Sequence, residues 1–190
     1  MPQRVGGAGR NGGAAGAPVV TAVEPRGDES AVRKASRGAV SMVAISGMDI
    51  GGGGTSVTPP TAAVMRQVRR AHQLGKKAEV LLLNYQAGVG FSDEVAKSML
   101  STKANRDSAA ASLAAVVSSY GLDGVMFDLE ALSASDADDL PAFAATLRAD
   151  VGPGIHLDAA LQASTRPAGY KRLGYDIAGL LKSLHTVTVV

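Results

Sequence analysis

Two carboxylates, two positions apart, close the segment Tyr120-Gly-Leu-Asp-Gly-Val-Met-Phe-Asp-Leu-Glu130. If the residues from Gly124 onward form a strand, Met126, Asp128 and Glu130 share one face, and Val125, Phe127 and Leu129 share the other. The second set is apolar and suits packing against helices. The first set then points into a sheet or barrel, with both carboxyls at the strand's C-terminal end, where barrel active sites sit. Carboxyls this close do not ionise independently. Desolvation and repulsion raise one pKa and leave the other low, which separates an acid from an anion. A bare Asp-x-Glu pair at a strand end reads first as a helix cap or an arginine partner, so its surroundings decide.

Other motifs carry less. Gly7-Ala-Gly-Arg-Asn-Gly12 has dinucleotide-fingerprint spacing, but it lacks the preceding strand and following helix that would make it a site. The Gly51–Gly54 run lacks the Lys-Ser/Thr of a phosphate loop and reads as a flexible loop at the rim. His72, His156 and His185 lack ligand spacing, although His156 and Asp158 fall on one strand face and read as a satisfied pair. Cysteine is absent, which excludes disulfides and thiolate metal sites.

The elements that must position the carboxylates follow from periodicity. Residues 1–17 are a Gly/Ala-rich stretch without periodicity and read as a disordered tail. Strands are expected at Val19–Val23, Val40–Ile45, Glu79–Asn84, Gly124–Leu129, Ile155–Leu161 and Thr186–Val190. Helices are expected from Glu29 to Arg37, through Val64, Val68, Ala71 and Leu74, and within Asp93–Tyr120, where Ala109, Leu113, Val116 and Tyr120 form one stripe. Two more are expected at Leu140–Leu147 and Ile177–Ser183. Thr61 can cap the second helix, with Gly75 and Gly121 as helix stops. Six strands alternating with helices imply a parallel sheet, either a barrel or a doubly wound open sheet.

Composition narrows the partners. Hydrophobic residues make up 46% of the 190, enough for one folded core. Arg4 and Arg10 account for the net charge of +2, leaving 17 basic and 17 acidic residues in 18–190. No basic stripe of the kind that grips nucleic acid is visible, and Arg66, Arg69 and Arg70 read as a solvated helix face. No apolar run reaches 18 residues, so no membrane span is expected. The start lacks the apolar stretch of a secretory signal, so export would depend on an upstream segment.

In this setting the pattern Asp-Gly-x-x-x-Asp-x-Glu resembles glycoside hydrolase family 18, the chitinases and their relatives. The family's fourth barrel strand carries Asp-Gly-x-Asp-x-Asp-x-Glu. Asp123, Gly124, Asp128 and Glu130 match, and Met126 stands where the family usually has its middle Asp. The resemblance runs more weakly over 18–190 and is nearest to the bacterial spore-cortex and cell-wall branch. It implies a (β/α)8 TIM-type barrel. Such a barrel takes about 250 residues. The 173 residues after the tail supply six strands, so an incomplete barrel is expected, ending where the family's sixth strand would continue into Met-x-Tyr-Asp. Its first and sixth strands would remain as open edges, which invites self-association.

The resemblance also implies a chemistry. The substrate class is an N-acetylglucosamine-containing polysaccharide, chitin or peptidoglycan, cleaved without metal or organic cofactor. Glu130 would act as general acid/base and Asp128 would orient the sugar's 2-acetamido group. Asn84, Tyr85 and Met126 are the residues expected to contact substrate. An extracellular or cell-wall location goes with that substrate. Two other readings stay open: a chitinase-like carbohydrate-binding protein without turnover, and a barrel enzyme with Asp123, Asp128 and Glu130 as Mg²⁺ ligands.

Overall fold

The computed structural model describes residues 20–51 and 53–190; the tail 1–17, its glycine motif and Val19 lie outside the described residues. The chain runs β1 (Thr21–Glu24), α1 (Glu29–Ala35), β2 (Met42–Asp49), α2 (Ala62–Gln73) and β3 (Lys77–Leu83). A small hairpin follows, β4 (Tyr85–Gln86) with β5 (Gly90–Phe91), then α3 (Asp93–Leu100) and α4 (Lys103–Tyr120). Next come β6 (Gly124–Asp128), α5 (Asp139–Val151), β7 (His156–Leu161), α6 (Pro167–Arg172), α7 (Ile177–Leu180) and β8 (Thr186–Val189).

The six main strands are all parallel and lie in chain order, β1-β2-β3-β6-β7-β8. A doubly wound sheet reverses its strand order at a switch point, whereas a barrel adds each new strand beside the last. The order is therefore the barrel type. Among the described residues β1 and β8 do not pair, so the sheet is open and represents six units of an incomplete (β/α)8 barrel.

Strand parity sets the two faces. Val43, Ile45, Val80, Leu82, Val125, Phe127, Leu157 and Ala159 form the outer layer of the main core against the helices. The inner face holds a smaller cluster of Ala44, Leu81, Leu83, Met126 and Ala160. Fully burying one aliphatic side chain is worth about 1.5–3 kcal/mol, so the outer core dominates stability. The inner face is left free to carry polar groups.

Local signals fix most helix ends. Thr61 Oγ1 accepts from Val64 N, and Gly121 at φ +62° closes α4 in the left-handed conformation. The α4 stripe is shifted from expectation. Val117 is buried, while Tyr120 is exposed at 36%, because the helix packs through Ala109, Ala110 and Leu113 onto α5. Gly54 packs on α3 rather than standing free at the rim. A Cβ on Gly54 would fall 2.3–2.4 Å from the Ser98–Met99 backbone, so only glycine permits that approach. Among the described residues, no helix is long and apolar enough to cross a membrane.

Candidate active site

Asp128 is the last residue of β6, and Glu130 lies two positions beyond it. The ladder places Leu83 of β3 and Ala160 of β7 beside Asp128. The Asp128 carboxyl is pushed up to about 6, chiefly by burial and secondarily by the negative charge of Glu130. That is the direction expected of a carboxyl whose same-face neighbour, Met126, is apolar. Glu130 is only partly buried, and its Oε2 accepts from Gln162 Nε2 at 3.2 Å. The arrangement sets two half-buried carboxyls, the Asp128 one with a raised pKa, at the C-terminal edge of the sheet.

Beyond Asp128 the backbone is held by side chains. Tyr175 donates its buried hydroxyl to Leu129 O at 2.8 Å. Asn84 Oδ1 accepts from Glu130 N at 3.0 Å, and Asn84 Nδ2 donates to Glu130 O at 2.7 Å. Ala131 then turns the chain with φ +56°, the one non-glycine residue at positive φ among those described. Such a backbone costs of order 1–3 kcal/mol and persists only where its surroundings impose it.

The three expected substrate contacts divide. Tyr85 is 47% exposed, meets Phe91 edge-on at 5.7 Å, and lines a cleft of about 360 Å³ with Arg26, Ser46, Asp49, Leu83 and Ala87. This cleft lies at the C-terminal ends of β1 to β3, and Leu83 in its wall is the ladder partner of Asp128. Asn84 does not fit direct sugar contact: it is fully buried, and its amide hydrogens go to the carbonyls of Ser92 and Glu130. Met126, 3% exposed within the inner apolar cluster, is likewise part of the floor rather than an open contact.

Asp123 and Gly124 stand at the opposite end of β6. Asp123 Oδ2 accepts from Ala78 N at 2.8 Å and lies 2.7 Å from His72 Nε2, tying β6 to the start of β3 and the end of α2. Five strand positions separate Asp123 from Asp128, roughly 16 Å at ~3.3 Å per residue. Asp123, Asp128 and Glu130 therefore cannot share one Mg²⁺, and that reading is corrected.

A second polar group occupies the N-terminal end of the sheet. Asp158, fully buried, lies 2.9 Å from His156 Nδ1 and accepts from Thr186 N. His185 Nδ1 lies 3.1 Å from Leu157 N, which donates to it, and its ring stacks on His156 with centroids 4.1 Å apart and 12° between planes. Near-parallel rings do not fit a metal centre. An ion in the plane of one imidazole would lie out of the plane of the other, and tetrahedral coordination needs converging lone pairs. Glu79 is also fully buried here, its carboxyl held well above the usual range by desolvation and by the Asp158 charge. Neither of its oxygens has a hydrogen-bond partner among the described residues. Sequence reasoning missed both Glu79 and the backbone role of Asn84. An acid inside the third strand's apolar run was the available signal for the first.

Residues 68–190 match the family model described as glycosyl hydrolases family 18. No curated protein matches the sequence. Among solved structures, the class V chitinase from Pseudomonas fluorescens aligns with TM-score 0.78 and 18% identity, covering 92% of this chain and 54% of that one. The chitinase from Chromobacterium violaceum gives 0.75 and 18%, covering 91% and 56%. The Bacillus cereus spore cortex-lytic enzyme SleL gives 0.75 and 15%, covering 90% and 40%. At these identities the likeness is one of fold, and the chain spans about half the length of the structures it matches.

Proposed function

The chain belongs to glycosyl hydrolases family 18, and from that premise we propose that it cleaves β-1,4 glycosidic bonds in N-acetylglucosamine-containing polymers, with Glu130 as general acid/base. The observation that carries this reading is the pair at the end of β6, Asp128 and Glu130 two positions on, both half-buried at the C-terminal edge of the sheet. The mechanism is substrate-assisted, an exception to the two-carboxylate scheme. The sugar's 2-acetamido oxygen attacks the anomeric carbon while Glu130 gives its proton to the departing glycosidic oxygen. Asp128, ionised, accepts the acetamido N–H and balances the positive charge of the oxazolinium ion. Glu130, now a carboxylate, takes a proton from water as that water opens the ring and restores the sugar hydroxyl. No step calls for a metal or organic cofactor.

The polymer is chitin or peptidoglycan, and an extracellular or cell-wall location follows from either. Tyr85, beside the cleft over β1 to β3, supplies an aromatic surface for a sugar ring. The exposed valines on the edge strands, Val23 at 57% and Val189 at 48%, are the surfaces through which copies would associate. A binding protein without turnover is the second reading, favoured by Met126 in place of the family's middle Asp. A fluorogenic N-acetylglucosamine oligomer, assayed with and without EDTA beside binding to insoluble chitin and peptidoglycan, separates the two. EDTA-resistant release supports hydrolysis; binding without release supports the second reading.

A further inference from the structure

We infer that Asn84 is the positioning residue of Glu130, standing in for the ladder partner that β3 does not supply. The inference rests on Glu130 being the general acid/base. Paired strands hold each backbone N–H and C=O through the neighbouring strand's peptide groups. The β3–β6 ladder stops at Leu83 beside Asp128. One residue later the β3 backbone has turned away: Asn84 O accepts from Ser92 N at 2.9 Å, closing the loop that carries the β4–β5 hairpin. Glu130 is thereby left without a backbone partner from β3.

A carboxamide has the same donor and acceptor groups as a peptide. Asn84 presents them to one residue, accepting from Glu130 N at 3.0 Å and donating to Glu130 O at 2.7 Å. Its second amide hydrogen goes to Ser92 O at 2.9 Å. This network also fixes which end of the amide is oxygen, since only Oδ1 can face the Glu130 N–H. Ser92 in turn caps α3, its Oγ accepting from Val95 N. The Glu130 backbone is thus tied through one buried side chain to β3 and to the start of α3, just before Ala131 turns at φ +56°.

The consequence is local. Aspartate at 84 keeps the acceptor for Glu130 N but, when ionised, loses both donors. Leucine has nearly the same shape and loses all three bonds. Each leaves buried backbone groups unpaired, and each frees the residue that must reach the glycosidic oxygen. Displacing a catalytic group by about 1 Å can cost roughly a hundredfold in rate.

The test uses the 190-residue chain and its Asn84→Asp and Asn84→Leu variants. Three readouts are taken: Glu130 amide hydrogen exchange by NMR, kcat and KM on a fluorogenic N-acetylglucosamine oligomer, and the pH–rate profile. In Asn84→Leu at pH 8 the Glu130 amide, which has lost its acceptor, is expected to exchange at least about tenfold faster while the β6 amides stay protected. In Asn84→Asp a fall in kcat of about tenfold to a hundredfold is expected, with KM within about twofold and a displaced pH profile. Unchanged kcat and pH profile in a folded Asn84→Asp protein would overturn the inference. So would an unchanged Glu130 amide in a folded Asn84→Leu protein. If Asn84→Leu does not fold, Asn84→Asp decides alone. If the unmodified protein hydrolyses no oligomer, the acid/base reading of Glu130 fails instead, and amide exchange still reports whether Asn84 holds that backbone.

Discussion

Glu79 of β3 and Asp158 of β7 are two fully buried carboxyls on the inner face, and Gly124 of β6 presents no side chain beside Glu79. A Cβ on Gly124 would lie 3.1 Å from Glu79 Cβ and 2.9 Å from His156 Cβ, so the glycine of the Asp-Gly pair is what lets this group close up. Desolvation, then the charge of Asp158, pushes Glu79 up to about 8. From its ordinary value of 4.5 to that point, the folded state keeps a proton that the unfolded chain has released. Stability therefore falls as pH rises through this window and is insensitive to Glu79 below it. Glu79→Gln removes the ionisation, so its urea midpoint should exceed the parent's at pH 8.5 and approach it at pH 4.5. Parallel midpoint curves for the two proteins would sink the assignment.

Glu130→Gln should lower hydrolysis by about 10²–10⁴-fold, the usual contribution of a general acid, and leave polymer binding nearly intact. Steady-state rates and a pull-down on insoluble chitin measure the two effects. Full activity in this variant would move the acid elsewhere.

Asp128 should titrate near pH 6 in a carboxyl ¹³C experiment, and Glu130→Gln should lower that value by removing the neighbouring charge. The value should still stay above the ordinary 3.8, because burial is the larger cause. A return to 3.8 in the variant would mean that charge repulsion, not desolvation, governs the site.

Met126→Asp places a further carboxyl on the inner face, in register with Asp158 and two positions from Asp128. It should raise the Asp128 pKa further and move the acid limb of the pH–rate profile upward. Burying a polar group among Leu81, Leu83 and Ala160 should also lower the melting temperature. An unchanged acid limb would show that position 126 does not act on Asp128.

Asp123→Ala should lower stability by about 1–3 kcal/mol, since Ala78 N and His72 lose their partner. It should leave the rate per folded molecule within about twofold, because Asp123 lies at the far end of β6. Loss of turnover without loss of stability would restore Asp123 to the chemistry.

The sequence by itself determined what is local. Strand parity put Asp128 and Glu130 on the inner face and Phe127 and Leu129 on the outer one. Thr61 and Gly121 marked helix ends through groups that satisfy their own neighbours. The alternation of apolar runs and amphipathic stretches established a parallel sheet with helices outside, and the motif resemblance selected the barrel. Tertiary structure decided everything that depends on partners distant in the chain. Strand order is one case, because a strand's own residues do not say which strand lies beside it. The buried polar residues are another: Glu79 meets Asp158 across 79 positions, and Asn84 meets Glu130 across 46. Gln67 holds the β1–α1 turn through Gly27 N, Pro25 O and Asp28 O, a partnership that no helical periodicity encodes. A polar side chain is placed by the groups it satisfies, and those groups converge only when the strands have assembled beside one another.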